Sequence, residues 1–162
     1  MSTPLYETTV TAHGGRAGHA ESTDGRLAVS LSVPQSLGGA GGPGTNPEQL
    51  FAAGYAACYD SALRLVARKR QLDLPADTAI TARVSLARTE TSHYQLAVKL
   101  TARLPGLAGA SARALMETAH QVCPYSNATR GNITVTLALE QESNESTGHG
   151  APEGATGASA AA

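Results

Sequence analysis

Alternating apolar and polar positions along the chain predict a set of short strands. Five segments either alternate in this way or are rich in β-branched and aromatic residues, and turn-forming residues bound them. The third and fourth are joined by a short polar segment, which predicts an antiparallel hairpin. A further short strand is expected near residue 20. The five segments are 5–12 (LYETTVTA), 27–33, 80–86, 96–104 and 133–139.

Two other segments have the pattern of helices. The first begins at Asn46, which can cap a helix, continues with Pro47 and the acidic Glu48, and extends to about residue 71. The second covers 108–123 and ends next to a proline. The resulting order, β-β-α-β-β-α-β, predicts an α+β fold with two helices packed against antiparallel strands.

Glycine-rich and polar segments separate these elements. Residues 13–19 (HGGRAGH) predict a tight turn, and 36–45 (SLGGAGGPGT) predict a flexible connector. From Gln141 to the end of the chain there is no large apolar residue. We therefore expect one domain over 1–140 and a mobile, low-complexity tail over 141–162.

Composition and charge exclude several classes of function. Of the 162 residues, 41% are hydrophobic and 15% are charged, which is a globular composition, and the net charge of −1 gives no basis for binding nucleic acid or an anionic membrane. The sequence has no membrane-length apolar run and no signal-peptide pattern, so we expect a cytoplasmic protein. It has no CxxC motif and no Cys/His cluster with zinc spacing, so no metal site is expected.

One of the two cysteines, Cys58, lies in the middle of the first helix, within the run LFAAGYAACY. Helical spacing places it on an apolar face whose small residues let another backbone or a ligand come close. A free cysteine on such a face is commonly an inert core residue, and a reactive thiol is the alternative interpretation. The members of this face are Phe51, Gly54, Cys58, Ala62 and Leu65.

Three other residues bear on the chemistry of Cys58. In a reducing compartment, a second thiol such as Cys123 suggests a partner in a thiol cycle more than a structural disulfide. Arg16 lies in the glycine-rich turn, where its guanidinium could favour a reactive thiolate, and Glu48 could hold that guanidinium with two parallel bonds. Arg16 could equally be a solvated loop residue and Glu48 a helix-dipole residue, so the residues alone leave both interpretations open.

The segments NPEQLFAAGYAACYDSAL (46–63) and VCPYSNATRGN (122–132) resemble the organic hydroperoxide resistance branch of the Ohr/OsmC family. The resemblance runs from about residue 5 to residue 140, and both cysteine motifs occur in the family's order and separation. The second segment favours this branch over the osmotically induced one. The resemblance implies an intertwined homodimer in which antiparallel strands wrap around two long central helices.

The resemblance also implies a thiol-dependent peroxidase that acts on organic hydroperoxides. Cys58 would be the peroxidatic cysteine and Cys123 the resolving cysteine. Arg16 matches the family's loop arginine, and Glu48 matches the glutamate of its PEQL motif.

Substrate and reductant expectations follow from the same resemblance. Phe51, Gly54 and Tyr125 are expected to line a pocket for the apolar group of the peroxide. The reductant would be an external dithiol, typically a lipoyl group on another protein, so no bound cofactor is expected.

The spacing of Glu48 and Cys58 predicts a site shared between chains. Ten residues along one helix separate them by about 15 Å, too far for one arginine head group to reach both side by side. Two such helices crossing antiparallel near Ala53 would bring Glu48 of one protomer close to the partner subunit's Cys58. We therefore expect residues of two subunits in each active site and an inactive monomer, with the chain that supplies Arg16 left open.

Two other functions agree with parts of this pattern. A non-enzymatic thiol sensor or small-molecule-binding dimer would use oxidation of Cys58 to change a partner interaction, although no DNA-reading helix or basic patch is visible. A dithiol oxidoreductase acting on protein disulfides would normally contain a CxxC motif. Repeated turnover of an organic peroxide distinguishes an enzyme from a sensor, which oxidises once.

Overall fold

The computed structural model describes residues 3–140 of the chain. Within this range the elements form two three-stranded sheets and three α-helices, which confirms the predicted α+β class. The predicted tail, 141–162, lies outside the described residues, so the domain boundary at residue 140 stays a prediction. The elements are β1 (Val10–His13), β2 (His19–Ser22), β3 (Ala28–Ser30), α1 (Pro47–Lys69), β4 (Ala79–Arg88), β5 (Tyr94–Arg103), α2 (Gly109–Val122), α3 (Pro124–Thr129) and β6 (Thr134–Leu139).

The first three strands form an antiparallel sheet in the order β1-β2-β3. The extra short strand expected near residue 20 is β2, and the loop between β1 and β2 contains a single 3-10 turn, Gly15–Ala17. The strand predicted over 5–12 begins only at Val10. Because β2 ends at Ser22, residues 5–8 have no neighbouring strand to pair with among residues 3–140.

The segment between β3 and α1 folds back on the end of the sheet. Leu31 forms a parallel bridge with Thr45, and Gly41 donates its N–H to the carbonyl of Val33. The connector predicted to be flexible is therefore tied down, because Gly38, Gly41 and Gly42 adopt the positive φ angles that tight turns require. These contacts fix the beginning of α1 to the first sheet.

The second sheet has the order β4-β5-β6. β4 and β5 form the predicted antiparallel hairpin, with Ala79 opposite Arg103 and Arg88 opposite Tyr94. The antiparallel prediction does not hold for β6, which pairs with β5 in parallel. The reason is the connection, since α2 and α3 carry the chain back along the sheet before β6 begins.

Helix α1 begins as predicted and packs against β4 and α2. The side chain of Asn46 accepts a hydrogen bond from the Gln49 backbone N–H at 2.9 Å, and Pro47 occupies the first helical position. The helix ends at Lys69, two residues before the predicted end. Within residues 3–140, no helix has both the length and the apolar character needed to cross a bilayer.

The buried face of α1 is centred on two tyrosines that were not part of the apolar face predicted from helical spacing. Tyr55 and Tyr59 are fully buried, whereas Leu65, a member of the predicted apolar face, is 40% exposed. Small residues would leave empty space between α1, α2 and the sheet. The two large rings fill this space, so they lie on the buried side of the helix. The other buried residues of α1 are Ala62, Leu63, Val66 and Ala67.

Candidate active site

The fold brings the two cysteines together. Cys58 lies in the middle of α1 and Cys123 lies between α2 and α3, and their sulfur atoms are 3.6 Å apart although 65 positions separate them in the sequence. Both are free thiols, with Cys123 buried and Cys58 partly exposed. A disulfide bond is about 2.05 Å long, so a shift of about 1.5 Å would join the two sulfurs.

The position of Cys123 depends on a helix that the sequence analysis missed. Pro124 has no N–H to continue α2, which ends at Val122, but its fixed φ suits the first position of α3. The chain therefore turns at Cys123 and presents its sulfur to α1. A proline directly after a helix end is the signal that could have predicted α3.

Burial is the main influence on the Cys58 thiol, and it raises the pKa of Cys58 because the thiolate is poorly solvated there. The nearby backbone N–H of Tyr125 lowers the pKa of Cys58, while the neighbouring Cys123 sulfur raises it further. Within one chain, Cys58 is therefore mainly a thiol at neutral pH.

Arg16 forms a bidentate ion pair with Glu48. Its two terminal nitrogens donate hydrogen bonds to the two carboxylate oxygens at 2.8 and 2.5 Å. These bonds raise the pKa of Arg16 and hold the pKa of Glu48 below its ordinary value, so both groups are charged at neutral pH. Two parallel bonds also fix the orientation of the guanidinium.

Glycines shape the loop that carries Arg16. Gly14 and Gly15 have φ angles of 72° and 56°, and a Cβ at Gly18 would lie 1.8 Å from the carbonyl oxygen of His13. A larger residue would strain the backbone at Gly14 and Gly15 and would clash at Gly18. The hairpin therefore turns tightly, as the sequence predicts, and directs Arg16 toward the first turn of α1.

The thiol pair and the ion pair are separate within one chain. Arg16 binds Glu48 at the beginning of α1, whereas Cys58 lies about 15 Å further along the helix axis. After burial, Tyr125 and Cys123 are the main influences on the pKa of Cys58 among the described residues, and Arg16 is not one of them. The Arg16 and Glu48 that meet belong to the same chain, and the site shared between two chains stays a prediction.

The predicted pocket residues Phe51, Gly54 and Tyr125 lie together. The ring centroids of Phe51 and Tyr125 are 6.2 Å apart, and a Cβ on Gly54 would lie 3.0 Å from the Tyr125 hydroxyl oxygen. Tyr55 adds a third ring, 5.9 Å from Phe51 and 5.7 Å from Tyr125. This aromatic cluster (Phe51, Tyr55 and Tyr125) lies near the thiol, because the Tyr125 backbone is close enough to lower the pKa of Cys58.

A groove of about 610 Å³ lies on another side of α1. Its lining includes Glu48, Ala52, Val84 and Leu86 but neither cysteine. Within the described range, no three His, Cys, Asp or Glu side chains are arranged to hold a metal ion. The predicted reactive residues thus lie outside this groove, except for Glu48, which borders both the groove and Arg16.

The ion pair makes a pH-dependent contribution to stability. At pH 7 we expect Glu48→Gln to lower the free energy of unfolding by about 0.5–1 kcal/mol, because the half-exposed Arg16 is screened by water. The folded-state pKa of Glu48 is depressed below 4.5, so the contribution of the carboxylate is fully present above that value and is lost as the pH falls through the folded-state pKa.

Urea unfolding of the wild-type protein and Glu48→Gln from pH 7 to pH 3 measures this effect. The two free energies should differ at pH 7 and converge as the pH falls below 4.5 and through the lowered folded-state pKa of Glu48. A difference that stays constant down to pH 3 would contradict the assignment.

Comparisons with known proteins match most of the chain. Residues 38–138, which include Glu48 and both cysteines, match the model of the OsmC-like protein family. The organic hydroperoxide resistance protein of Xanthomonas axonopodis pv. citri (strain 306) is 51% identical over 135 residues, which are 83% of this chain and 94% of that protein. The organic hydroperoxide resistance protein OhrA of Bacillus subtilis (strain 168) is 46% identical over 149 residues, covering 87% of this chain and 100% of that protein.

A solved structure agrees with these relatives. The crystal structure of an organic hydroperoxide resistance protein from Legionella pneumophila superimposes with a TM-score of 0.81 at 51% identity, covering 86% of this chain and 100% of that one. The chain belongs to the organic hydroperoxide resistance branch of the OsmC-like family. The resemblance carried by the two cysteine motifs is thereby confirmed.

The sequence analysis missed three residues of this OsmC-like protein that lie a few positions from the two cysteines. Tyr55 lies three positions before Cys58, and Ser126 and Thr129 follow Cys123 in α3. The signal for Tyr55 is its spacing, since aromatic residues at 51, 55 and 59 recur every four positions, which is typical of a buried helix face. The two hydroxyl residues of α3 have no comparable local signal.

Proposed function

We propose that this protein is a Cys-based, thiol-dependent peroxidase that reduces organic hydroperoxides to alcohols and contributes to resistance against them. The observation that carries the proposal is the 3.6 Å separation of the Cys58 and Cys123 sulfurs beside the aromatic cluster. Family membership supports it, because relatives at 46% and 51% identity are named organic hydroperoxide resistance proteins.

In the first step, the Cys58 thiolate attacks one oxygen of the hydroperoxide. An S–O bond forms as the O–O bond breaks, the departing alkoxide takes up a proton and leaves as the alcohol, and Cys58 becomes a sulfenic acid. A guanidinium beside the reacting atoms stabilises both the thiolate and the charge on the departing oxygen. We assign this role to Arg16, oriented by Glu48.

In the second step, the Cys123 sulfur attacks the sulfenic sulfur, water is released, and a Cys58–Cys123 disulfide forms. An external dithiol then exchanges with this disulfide, so that both cysteines return to thiols and the reductant becomes a disulfide. We assign a lipoyl-type dithiol carried by another protein to this step, with no bound cofactor. The cycle suits the cytoplasm, where thiols are kept reduced.

The aromatic cluster supports a preference for organic peroxides. Its rings lie near Cys58, and Tyr125 packs so closely on Gly54 that a Cβ there would lie 3.0 Å from the Tyr125 hydroxyl oxygen. An apolar substituent that buries about 100 Å² there would gain about 2.5 kcal/mol relative to hydrogen peroxide, which is a factor of about 50–100.

We further propose an intertwined homodimer with shared active sites. All four residues of β1 are exposed in the single chain, and Leu5 and Tyr6 are 102% and 79% exposed. A second chain would cover these residues, and its Arg16–Glu48 pair would lower the pKa of a Cys58 that burial otherwise raises. An isolated monomer would then lack the guanidinium at its thiol and be inactive.

Turnover of cumene hydroperoxide by the full chain tests the peroxidase proposal. With dihydrolipoamide as reductant we expect many equivalents of peroxide to be consumed per chain, more slowly with thioredoxin-type or glutathione-type reductants, and about 50-fold more slowly with hydrogen peroxide. Consumption of one equivalent followed by arrest would identify a thiol sensor and reject the enzyme. Faster turnover with glutathione would reject only the lipoyl-type reductant.

A further inference from the structure

A cluster of hydroxyl groups lies between α1 and α3 in the protein interior. Tyr55 donates its hydroxyl proton to the Ser126 hydroxyl oxygen at 3.0 Å, and the Tyr55 oxygen lies 3.3 Å from that of Thr129. Tyr55 and Ser126 are fully buried, and Thr129 is 8% exposed. Thr129 also contacts the carbonyl oxygens of Tyr125 and Ser126 at 2.9 and 3.3 Å, so the cluster joins α1 to the backbone of α3.

The hydroxyl cluster and the thiol pair link the same two segments. Tyr55 precedes Cys58 by three positions in α1, and Ser126 follows Cys123 by three positions in α3. The 3.0 Å hydrogen bond and the 3.6 Å sulfur contact therefore both join α1 to the short segment that begins at Cys123. A helix of six residues has little stability of its own, so the position of α3 depends on contacts of this kind.

We propose that Tyr55 and Ser126 are positioning residues for the resolving step. Their hydrogen bond holds Cys123 at the distance from which it attacks oxidised Cys58, and so sets the rate of disulfide closure. This inference rests on the proposed peroxidase function and adds to it the residues that determine whether Cys58 is protected. They act through the cysteines and touch neither the peroxide nor the reacting atoms.

The chemistry explains why positioning matters here. At closure, the Cys123 sulfur bonds to the Cys58 sulfur, and the hydroxide that leaves the sulfenic acid takes up the thiol proton as water. A sulfenic acid that does not close remains open to a second peroxide molecule, which oxidises it to a sulfinic acid. Two sulfurs held in contact react as though at high concentration, and a mobile α3 would lower that effective concentration.

Tyr55→Phe and Ser126→Ala each remove one side of the hydrogen bond, and Tyr59→Phe is the matched control. Tyr59 is also fully buried in α1, but its hydroxyl donates to the Met116 carbonyl at 2.7 Å and so links α1 to α2. Ser126→Ala and Tyr59→Phe each lose one buried hydrogen bond, and Tyr55→Phe also loses the 3.3 Å contact with Thr129. We expect similar decreases in urea unfolding midpoint for Ser126→Ala and Tyr59→Phe and a decrease at least as large for Tyr55→Phe. Their effects on disulfide closure should differ.

Stopped-flow kinetics with cumene hydroperoxide separates the two steps. In Tyr55→Phe and Ser126→Ala, we expect the first oxidation to stay within about twofold of wild type and closure to slow about tenfold. Mass spectrometry should show more sulfinic acid at Cys58 in both. Tyr59→Phe should close at the wild-type rate. Equal slowing in Tyr59→Phe, or wild-type closure in both other variants, would overturn the proposal.

The thiol–disulfide equilibrium of Cys58 and Cys123 with glutathione tests the positioning proposal without peroxide. At a fixed ratio of oxidised to reduced glutathione, the proportion of disulfide to dithiol should fall about tenfold in Tyr55→Phe and Ser126→Ala relative to Tyr59→Phe. If the wild type fails to turn over peroxide while this ratio falls, the proposed function is wrong but the positioning contact stands. If the wild type turns over and the ratio is unchanged, only the positioning proposal fails.

Discussion

Cys58→Ser is expected to reduce peroxide turnover to the rate of the buffer. A serine hydroxyl is not ionised near neutral pH, and it cannot carry the transferred oxygen as a sulfenic acid. The substitution exchanges one sulfur atom for oxygen at a partly exposed position, so the fold should be retained. Loss of cumene hydroperoxide with dihydrolipoamide as reductant measures the effect, and thermal melting verifies the fold.

Cys123→Ser is the matched control, because it makes the same exchange 3.6 Å away. Here the first equivalent of peroxide should still be consumed at the wild-type rate, since Cys58 remains. Without a resolving sulfur, Cys58 should then accumulate as sulfinic acid as peroxide is increased, which mass spectrometry detects. Wild-type turnover by Cys58→Ser, or loss of the first equivalent in both variants, would show that the two roles are assigned wrongly.

Arg16→Ala should have the next largest effect, slowing the first oxidation about 100-fold at pH 7. Without the guanidinium, burial keeps the pKa of Cys58 raised, and the charge on the departing oxygen is unbalanced. The difference in rate between Arg16→Ala and the wild type should decrease toward pH 10, where Cys58 ionises without the guanidinium. Arg16→Lys keeps the charge but loses the two parallel bonds to Glu48, so it should react at an intermediate rate. An unchanged rate in Arg16→Ala would remove this residue from the mechanism.

Mixed dimers determine which chain supplies Arg16. Differently tagged Cys58→Ser and Arg16→Ala chains are co-expressed, and the heterodimer is purified through both tags. If Arg16 serves the partner subunit's Cys58, one site of the heterodimer contains both residues, and about half of the wild-type activity per dimer should return. If each chain serves its own thiol, neither site is complete and activity should stay at the Arg16→Ala level or below.

Features that depend on neighbours along the chain were predicted well. α1 begins at the position that Asn46 and Pro47 indicate, and the β4–β5 hairpin has the register that alternation requires. Capping, the fixed φ of proline and the two-residue period of a strand all act within a few residues, so the sequence displays them directly.

Features that depend on a distant partner differed from prediction. β1 is shorter than its pattern because β2 ends at Ser22, and β6 is parallel because two helices precede it. Tyr55 and Tyr59 occupy the buried face of α1 because their rings fill the space below the helix. Strand pairing and ring burial are decided by what lies across the interior, which alternation along one segment does not specify.

By itself, the sequence determined which side chains can react, namely two thiols, a guanidinium in a glycine-rich turn and a carboxylate at the start of a long helix. The presence of an ionisable or nucleophilic group belongs to the side-chain type, so no coordinates are needed to name these candidates. Only the tertiary structure decided which of them meet, with the sulfurs 3.6 Å apart and Arg16 bound to the Glu48 of its own chain. Contacts between segments 65 and 32 positions apart depend on how helices and sheets pack, and local patterns do not contain that information.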